Sequence, residues 1–204
     1  GTHIVTFGIT DQVHTPPPHI YMDGYLFPTD RAIEQAAHIV SVSDAALRAI
    51  GLTNGAFSME LRYDGSTARV IEINGRLGEE DVMGEMVHAS LGIYPMLGLI
   101  EIAAGSSRAP SLAPARPCAI TFRNYLRDGV VRETPPPAQL DRWREQGARV
   151  AIQAPAGSRM YAPPHHETFP HLAYVLCTDE RSSAAAYRRG RRIADQLHFE
   201  IDTV

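Results

Sequence analysis

Residues 55–78 read GAFSMELRYDGSTARVIEINGRLG. The spacing predicts two strands, Ala56–Tyr63 and Ala68–Asn74, joined by a turn at Asp64-Gly65-Ser66-Thr67, where the Asp-Gly pair is a strong hairpin signal. In a tight hairpin that pairs Glu60 with Glu72, alternation puts Ser58, Glu60 and Arg62 on one face together with Val70, Glu72 and Asn74. Phe57, Met59, Leu61, Ile71 and Ile73 then line the other face. Directly opposed residues have Cβ atoms roughly 4.5–5.5 Å apart, where like charges repel. A divalent cation is the simplest reason for two carboxylates to face each other there. Two carboxylates and an Asn carbonyl form an all-oxygen set suited to Mg²⁺ with phosphates completing its shell. Arg76 adds the planar cation that phosphoryl or acyl-phosphate oxygens call for.

Glu60 followed by Glu72-Ile73-Asn74-Gly75-Arg76 resembles the metal-binding end of the ATP-grasp carboxylate–amine ligases. The spacing from Glu60 to Glu72 matches the biotin-carboxylase-like branch, the run Phe57–Leu77 fits throughout, and the surrounding text looks most like the amino-acid ligases that form dipeptides. The resemblance implies that Glu60, Glu72 and Asn74 hold Mg²⁺ (or Mn²⁺) on ATP and that Arg76 steadies an acyl phosphate. It also places Gly78 and the acids after it near the acceptor substrate. Family members often carry a second glycine where this chain has Glu79-Glu80. Either acid then meets the amino group of an incoming amino acid, or both simply favour the start of the following helix. Arg62 is a candidate phosphate or substrate contact.

The chain has 204 residues, a net charge of −4 and two cysteines. That leaves room for one large domain or two small ones. No basic excess points to nucleic acid, no apolar run is long enough for a bilayer, and Cys118 and Cys177 are too isolated for a disulfide framework or zinc site. The composition describes a soluble, cytoplasmic protein. All nineteen basic residues are arginines. The lysines and Gly-rich loop that ATP-grasp enzymes use to hold a triphosphate are therefore absent from this sequence.

In chain order, His3–Thr10 reads as a strand and Asp11–Pro28 as a Pro-rich surface crossing anchored by Tyr21, Tyr25, Leu26 and Phe27; its Asp11, His14 and His19 read as solvated. Thr29 or Asp30 caps a helix to about Ile50, and Ile33, Ala36, Ala37, Val40, Leu47 and Ile50 cover the hairpin. Val82–Ala89 and Pro95–Ala104 read as helices whose Met83, Met86, Met96, Leu97, Leu99, Ile100 and Ile102 belong to the core. The linker-like Gly105–Pro117 divides the chain, giving residues 1–105 as the C-terminal part of an ATP-grasp nucleotide- and metal-binding domain and 106–204 as a small α/β lobe. In the lobe, Cys118–Leu126 and Val130–Glu133 form a hairpin. Helices follow at Ala138–Gln146 and Ser182–Leu197, with strands at Arg149–Gln153, Leu172–Thr178 and His198–Ile201. The Arg188–Arg192 run is a solvated helix face, and Pro163–Glu167, with His165 and His166, is a surface loop.

The fold expected is α+β, an antiparallel sheet with packed helices. The function implied by the resemblance is an ATP- and Mg²⁺-dependent ligase that activates a carboxylate as an acyl phosphate for attack by an amine. Bicarbonate activation of the carboxylase or carbamoyl-phosphate type is the alternative within the superfamily, and a non-catalytic binding fragment the alternative outside it. The chain reads as the C-terminal part of a larger enzyme. Its partners are small-molecule carboxylate and amine substrates and an N-terminal ATP-grasp portion, fused or separate, with no nucleic acid and no membrane.

Overall fold

The chain divides into two compact units, Gly1–Ile9 with Thr29–Ala115 and Thr10–Pro28 with Arg116–Val204. The computed structural model describes residues 4–78, 80–106 and 111–203, with the backbone alone at Glu80 and Asp81. Every strand pairing is antiparallel. The division is not a single cut in the linker, because Thr10–Pro28 joins the second unit.

In the first unit the Asp64–Thr67 turn closes on an Asp side chain. Asp64 Oδ1 accepts from the backbone N–H groups of Ser66 and Thr67 at 3.0 and 2.8 Å, and Gly65 takes the positive φ of 101° that the turn requires. The strands it joins are Ser58–Tyr63 (β3) and Ala68–Asn74 (β4). Between Glu60 and Leu61 the register shifts, so that Glu60 pairs with Glu72 but Leu61 pairs with Val70. Ile71 is the extra residue of a β-bulge. The tight register had placed Val70 on the polar face and Ile71 on the apolar one; the structure reverses both. Val70 opposes Leu61 and is half-buried, while Ile71 is 63% exposed. The physical reason is Arg69, which an unbroken alternation from Ile73 through Ile71 would drive onto the apolar face. One inserted residue turns Arg69 out and Ala68 and Val70 in.

Helix α1 (Ile33–Ala49) packs on β4 through a face that buries Ile39 and Leu47. It starts at Ala32 without a side-chain cap, later than the Thr29 or Asp30 expected. Thr29 is held in the preceding loop, donating its N–H to Ile9 O at 2.8 Å and accepting the N–H of Arg31 on its hydroxyl. Ile33, Ala37 and Ile50, read as core, are exposed. Helices α2 (Glu80–Leu91) and α3 (Pro95–Ala103) meet at 101°. Met86 is fully buried in α2, but Met96, Leu97 and Ile100 of α3 are exposed, contrary to the core reading. A short helix that is apolar all round presents more surface than a single sharply bent neighbour covers. Among the described residues no single helix is long and apolar enough to cross a membrane.

In the second unit the stretch read as a surface crossing is a strand pair, Asp11–His14 (β1) and Met22–Phe27 (β2). Residues 4–10, read as a strand, lie outside any strand. Strand β2 pairs with Cys118–Asn124 (β5), and the sheet continues through His171–Thr178 (β9) to Ala148–Ile152 (β7). Tyr25 and Phe27 are buried within it. Gly129–Glu133 (β6) does not form a hairpin with β5. It pairs with Glu200–Asp202 (β10) and Arg159–Met160 (β8), the latter unforeseen. Tyr125 donates its N–H to Pro170 O, continuing alongside β9's approach rather than turning back. Gly129 packs so closely on β10 that a Cβ there would come within 2.7 Å of Asp202 O. Helix α4 (Pro137–Glu145) lies on β7, and α5 (Ser183–Gln196) covers β5, β9 and β2. On α5, Ala186, Ile193 and Ala194 face the sheet. The Arg run is only partly a solvated face. Arg188 and Arg192 are exposed, whereas Arg189 donates to the Gln146 carbonyl at the end of α4 and Arg191 forms an ion pair with Asp23 at 2.8 Å.

That ion pair belongs to a half-buried polar cluster tying β2 to α5, β5 and β9. The Tyr187 hydroxyl donates to Asp23, and burial first, then Asp23, pushes the Tyr187 phenol up to about 12. Asn124 donates its amide to Met22 O at 3.0 Å and Asp23 Oδ1 at 3.3 Å, and its Oδ1 lies 2.7 Å from His171 Nδ1.

Candidate functional site

The outward face of the β3–β4 hairpin is built in rows, each row a cross-strand pair. Ser58 opposes Asn74, Glu60 opposes Glu72, and Arg62 opposes Arg69. Glu60, Glu72, Arg62 and Arg69 are exposed, while Met59, Leu61, Tyr63, Ala68, Val70 and Ile73 turn inward and are buried or half-buried. Within the second strand Asn74 Nδ2 donates to Glu72 Oε1 at 2.7 Å. A carboxylate accepts only, so this bond fixes the amide orientation and presents the Asn74 carbonyl oxygen as a ligand. The structure therefore brings together Glu60, Glu72 and Asn74. They supply two carboxylates and a carbonyl, all hard oxygen donors. No group of three or more His, Cys, Asp or Glu among the described residues is placed to hold a metal, so the shell of any cation here would be completed by water or by a bound ligand.

Past β4 the chain folds back along the start of β3. A Cβ placed on Gly78 would meet Ser58 Cβ at 3.4 Å and Met83 Cγ at 3.8 Å, ordinary packing distances. Arg76 lies exposed on this return, its Nη1 donating to Leu77 O at 2.9 Å. Its guanidinium is thus close to the row of acids in sequence but turned toward its own loop. Glu79 lies outside the described residues, and of Glu80 only its backbone position, the first residue of α2, is described.

The residue that the sequence reading missed is Arg69. Its Nη1 is 2.8 Å from Asp64 Oδ2, and this contact, before the turn N–H groups, holds the Asp64 carboxyl well below the usual carboxylate range. The signal was present in the sequence: adjacent Val70 and Ile71 break the alternation that Arg69 and Ile73 otherwise demand.

No protein-family model matches the chain. An uncharacterised protein of Sinorhizobium fredii, y4rH, is 29% identical to it, over 69% of this chain and 30% of that protein. Carnosine synthase 1 of Mus musculus is also 29% identical, over 62% of this chain and 14% of the synthase. Among solved structures, the L-amino acid ligase of Bacillus licheniformis superposes with a TM-score of 0.76 at 22% identity, over 91% of this chain and 46% of the ligase. The biotin carboxylase domain of Hydrogenobacter thermophilus 2-oxoglutarate carboxylase, solved with MgADP, ADP and bicarbonate, superposes with a TM-score of 0.62 at 17% identity, over 89% of this chain and 40% of that domain. Over its own length the chain shares the fold of the corresponding part of these ATP-grasp structures. It spans less than half the length of the relatives and structures it matches.

Proposed function

We propose that this chain carries the metal- and intermediate-binding part of an ATP- and Mg²⁺-dependent ligase that joins a carboxylate to an amine, with amino acids as the substrate class. The observation that carries the reading is the cross-strand pairing of Glu60 with Glu72 on the exposed face, with Asn74 bonded to Glu72 and Arg76 two residues on. Opposed carboxylates repel, and a bound divalent ion reverses the sign of that interaction. When bound, the metal neutralises phosphate charge during phosphoryl transfer. Glu60 and Glu72 would hold it from the two strands, with Asn74 supplying a third oxygen. Rotation of the Arg76 guanidinium from Leu77 O toward the site puts a planar fork on the acyl-phosphate oxygens, with Gly78 packed beside Ser58 on the return loop. No side chain acts as nucleophile, because such catalysis consists of positioning and electrostatic stabilisation.

Bicarbonate activation would use the same ligands. The higher superposition score with the amino-acid ligase than with the biotin carboxylase domain supports the amino-acid reading. The metal assignment is tested by water-proton relaxation with Mn²⁺. Mg²⁺-type sites use one or two carboxylates plus substrate phosphates, so weak binding is expected from the chain alone, strengthened by nucleotide and reduced by Glu72→Gln. Equal enhancement in wild type and Glu72→Gln would remove the metal from this hairpin.

A further inference from the structure

We propose that Arg62 and Arg69 form an anion subsite that grips the phosphoryl oxygens of a nucleoside triphosphate, one row along the hairpin from the Glu60–Glu72 pair. This deepens the ligase reading and rests on it. The turn sets Tyr63 opposite Ala68 and Arg62 opposite Arg69, and the bulge at Ile71 then brings Glu72 opposite Glu60 on that same exposed face, so that the two pairs lie in successive rows. Like charges directly opposed across strands destabilise a hairpin; Asp64 offsets part of this charge on the Arg69 side, and an anion shared between the two arginines removes the repulsion that remains.

Arg69 is held in place. Its Nη1 is bonded to Asp64 Oδ2 at 2.8 Å, and the other oxygen of Asp64 is tied to Ser66 and Thr67. That bond uses one nitrogen of the fork, and the rest of the guanidinium retains donors for a ligand. Successive rows on one strand face are about 7 Å apart, so arginines one row away reach anions attached to a cation held by Glu60 and Glu72. A row of carboxylates followed by a row of guanidinium groups complements a metal-chelated polyphosphate, cation first and anionic oxygens next. A single carboxylate would need only one bidentate fork. With no lysine in the sequence, arginines are the basic side chains that this chain itself offers to phosphate.

The test is calorimetry on this chain at low ionic strength, where exposed charge contacts are least screened. Tripolyphosphate without divalent metal is the first probe, ATP the second and succinate the third. Wild type binds tripolyphosphate and ATP in preference to succinate, and the double variant Arg62→Gln/Arg69→Gln, with an unchanged circular dichroism spectrum, loses roughly tenfold in affinity for both. The variant Arg144→Gln, on exposed α4, leaves affinity unchanged. No binding by wild type, equal affinity in the double variant, or an equal loss in Arg144→Gln overturns the subsite. Preference for succinate overturns the phosphate assignment. Arg-dependent tripolyphosphate binding that persists while Mn²⁺ relaxation shows no metal supports the subsite and removes only the metal reading.

Discussion

His171 shows what burial does to a single titratable group in this molecule. Asn124 donates its amide to Met22 O and Asp23, so its Oδ1 must accept, and the proton of neutral His171 therefore sits on Nδ1. The ring stacks on Phe122 at 4.0 Å. Burial lowers the imidazole to about 4, against a smaller upward pull from Asp23. The unfolded chain, with an ordinary imidazole near 6.5, binds the proton more readily than the folded one. The contribution of His171 is thus fully present above about pH 6.5 and is lost as pH falls through about 4. Urea unfolding of the second unit should lose up to about 3 kcal/mol over that window from this group. His171→Gln, which cannot titrate, should flatten the slope. An unchanged pH profile in that variant would show that His171 is not the group responsible.

At the scale of the element, the bulge in β4 governs which side chains the hairpin offers. Ile71 is the residue without a partner in the register, and it lies exposed. Deleting it leaves Glu60 opposite Glu72, Leu61 opposite Val70 and Arg62 opposite Arg69, now in an unbroken ladder. The deletion variant should therefore fold with a stability within about 1 kcal/mol of wild type, since it removes an exposed side chain and no core contact. Denaturant unfolding checks this. A loss of several kcal/mol would mean that the extra twist of the bulge, rather than the register alone, fits the hairpin to α1.

At the scale of the whole molecule, the chain spans 46% of the amino-acid ligase whose fold it shares. On the ligase reading, catalysis needs the remainder to bind adenine and both substrates. The chain alone should release no phosphate in an assay dependent on both ATP and an amine acceptor, and supplying the remaining portion, fused or separate, should restore turnover. In that complete enzyme Arg76→Ala should lower kcat by roughly 10²–10³, the loss typical of removing one pre-organised charge-stabilising donor. Arg76→Lys should recover only part, because an ammonium lacks the planar fork. An Arg76→Ala enzyme with wild-type kcat would sink the role given to that residue. Turnover by the chain alone would show that it contains the whole machinery.

Local chemistry by itself determined the hairpin and its turn, because Asp-Gly turn geometry and period-two alternation act over a few neighbouring residues. The helices at Ile33–Ala49, Glu80–Leu91, Pro95–Ala103, Pro137–Glu145 and Ser183–Gln196 were legible for the same reason, to within a few residues at their ends. Tertiary structure decided the rest. Residues 11–27 read as a loop because TPPPH dominates them locally, yet β2 pairs with β1 on one side and on the other with β5, nearly a hundred residues away. Arg191 looked like a solvated charge because its partner, Asp23, lies on that same remote strand. The turn sets Arg62 opposite Arg69, whereas the pairing of Glu60 with Glu72 depends on where the extra residue, Ile71, is accommodated, and that is settled by keeping Val70 inward and Glu72 in water. Neighbouring residues specify a turn and the register beside it; where the strand takes up an extra residue is chosen by which side chains must reach the core.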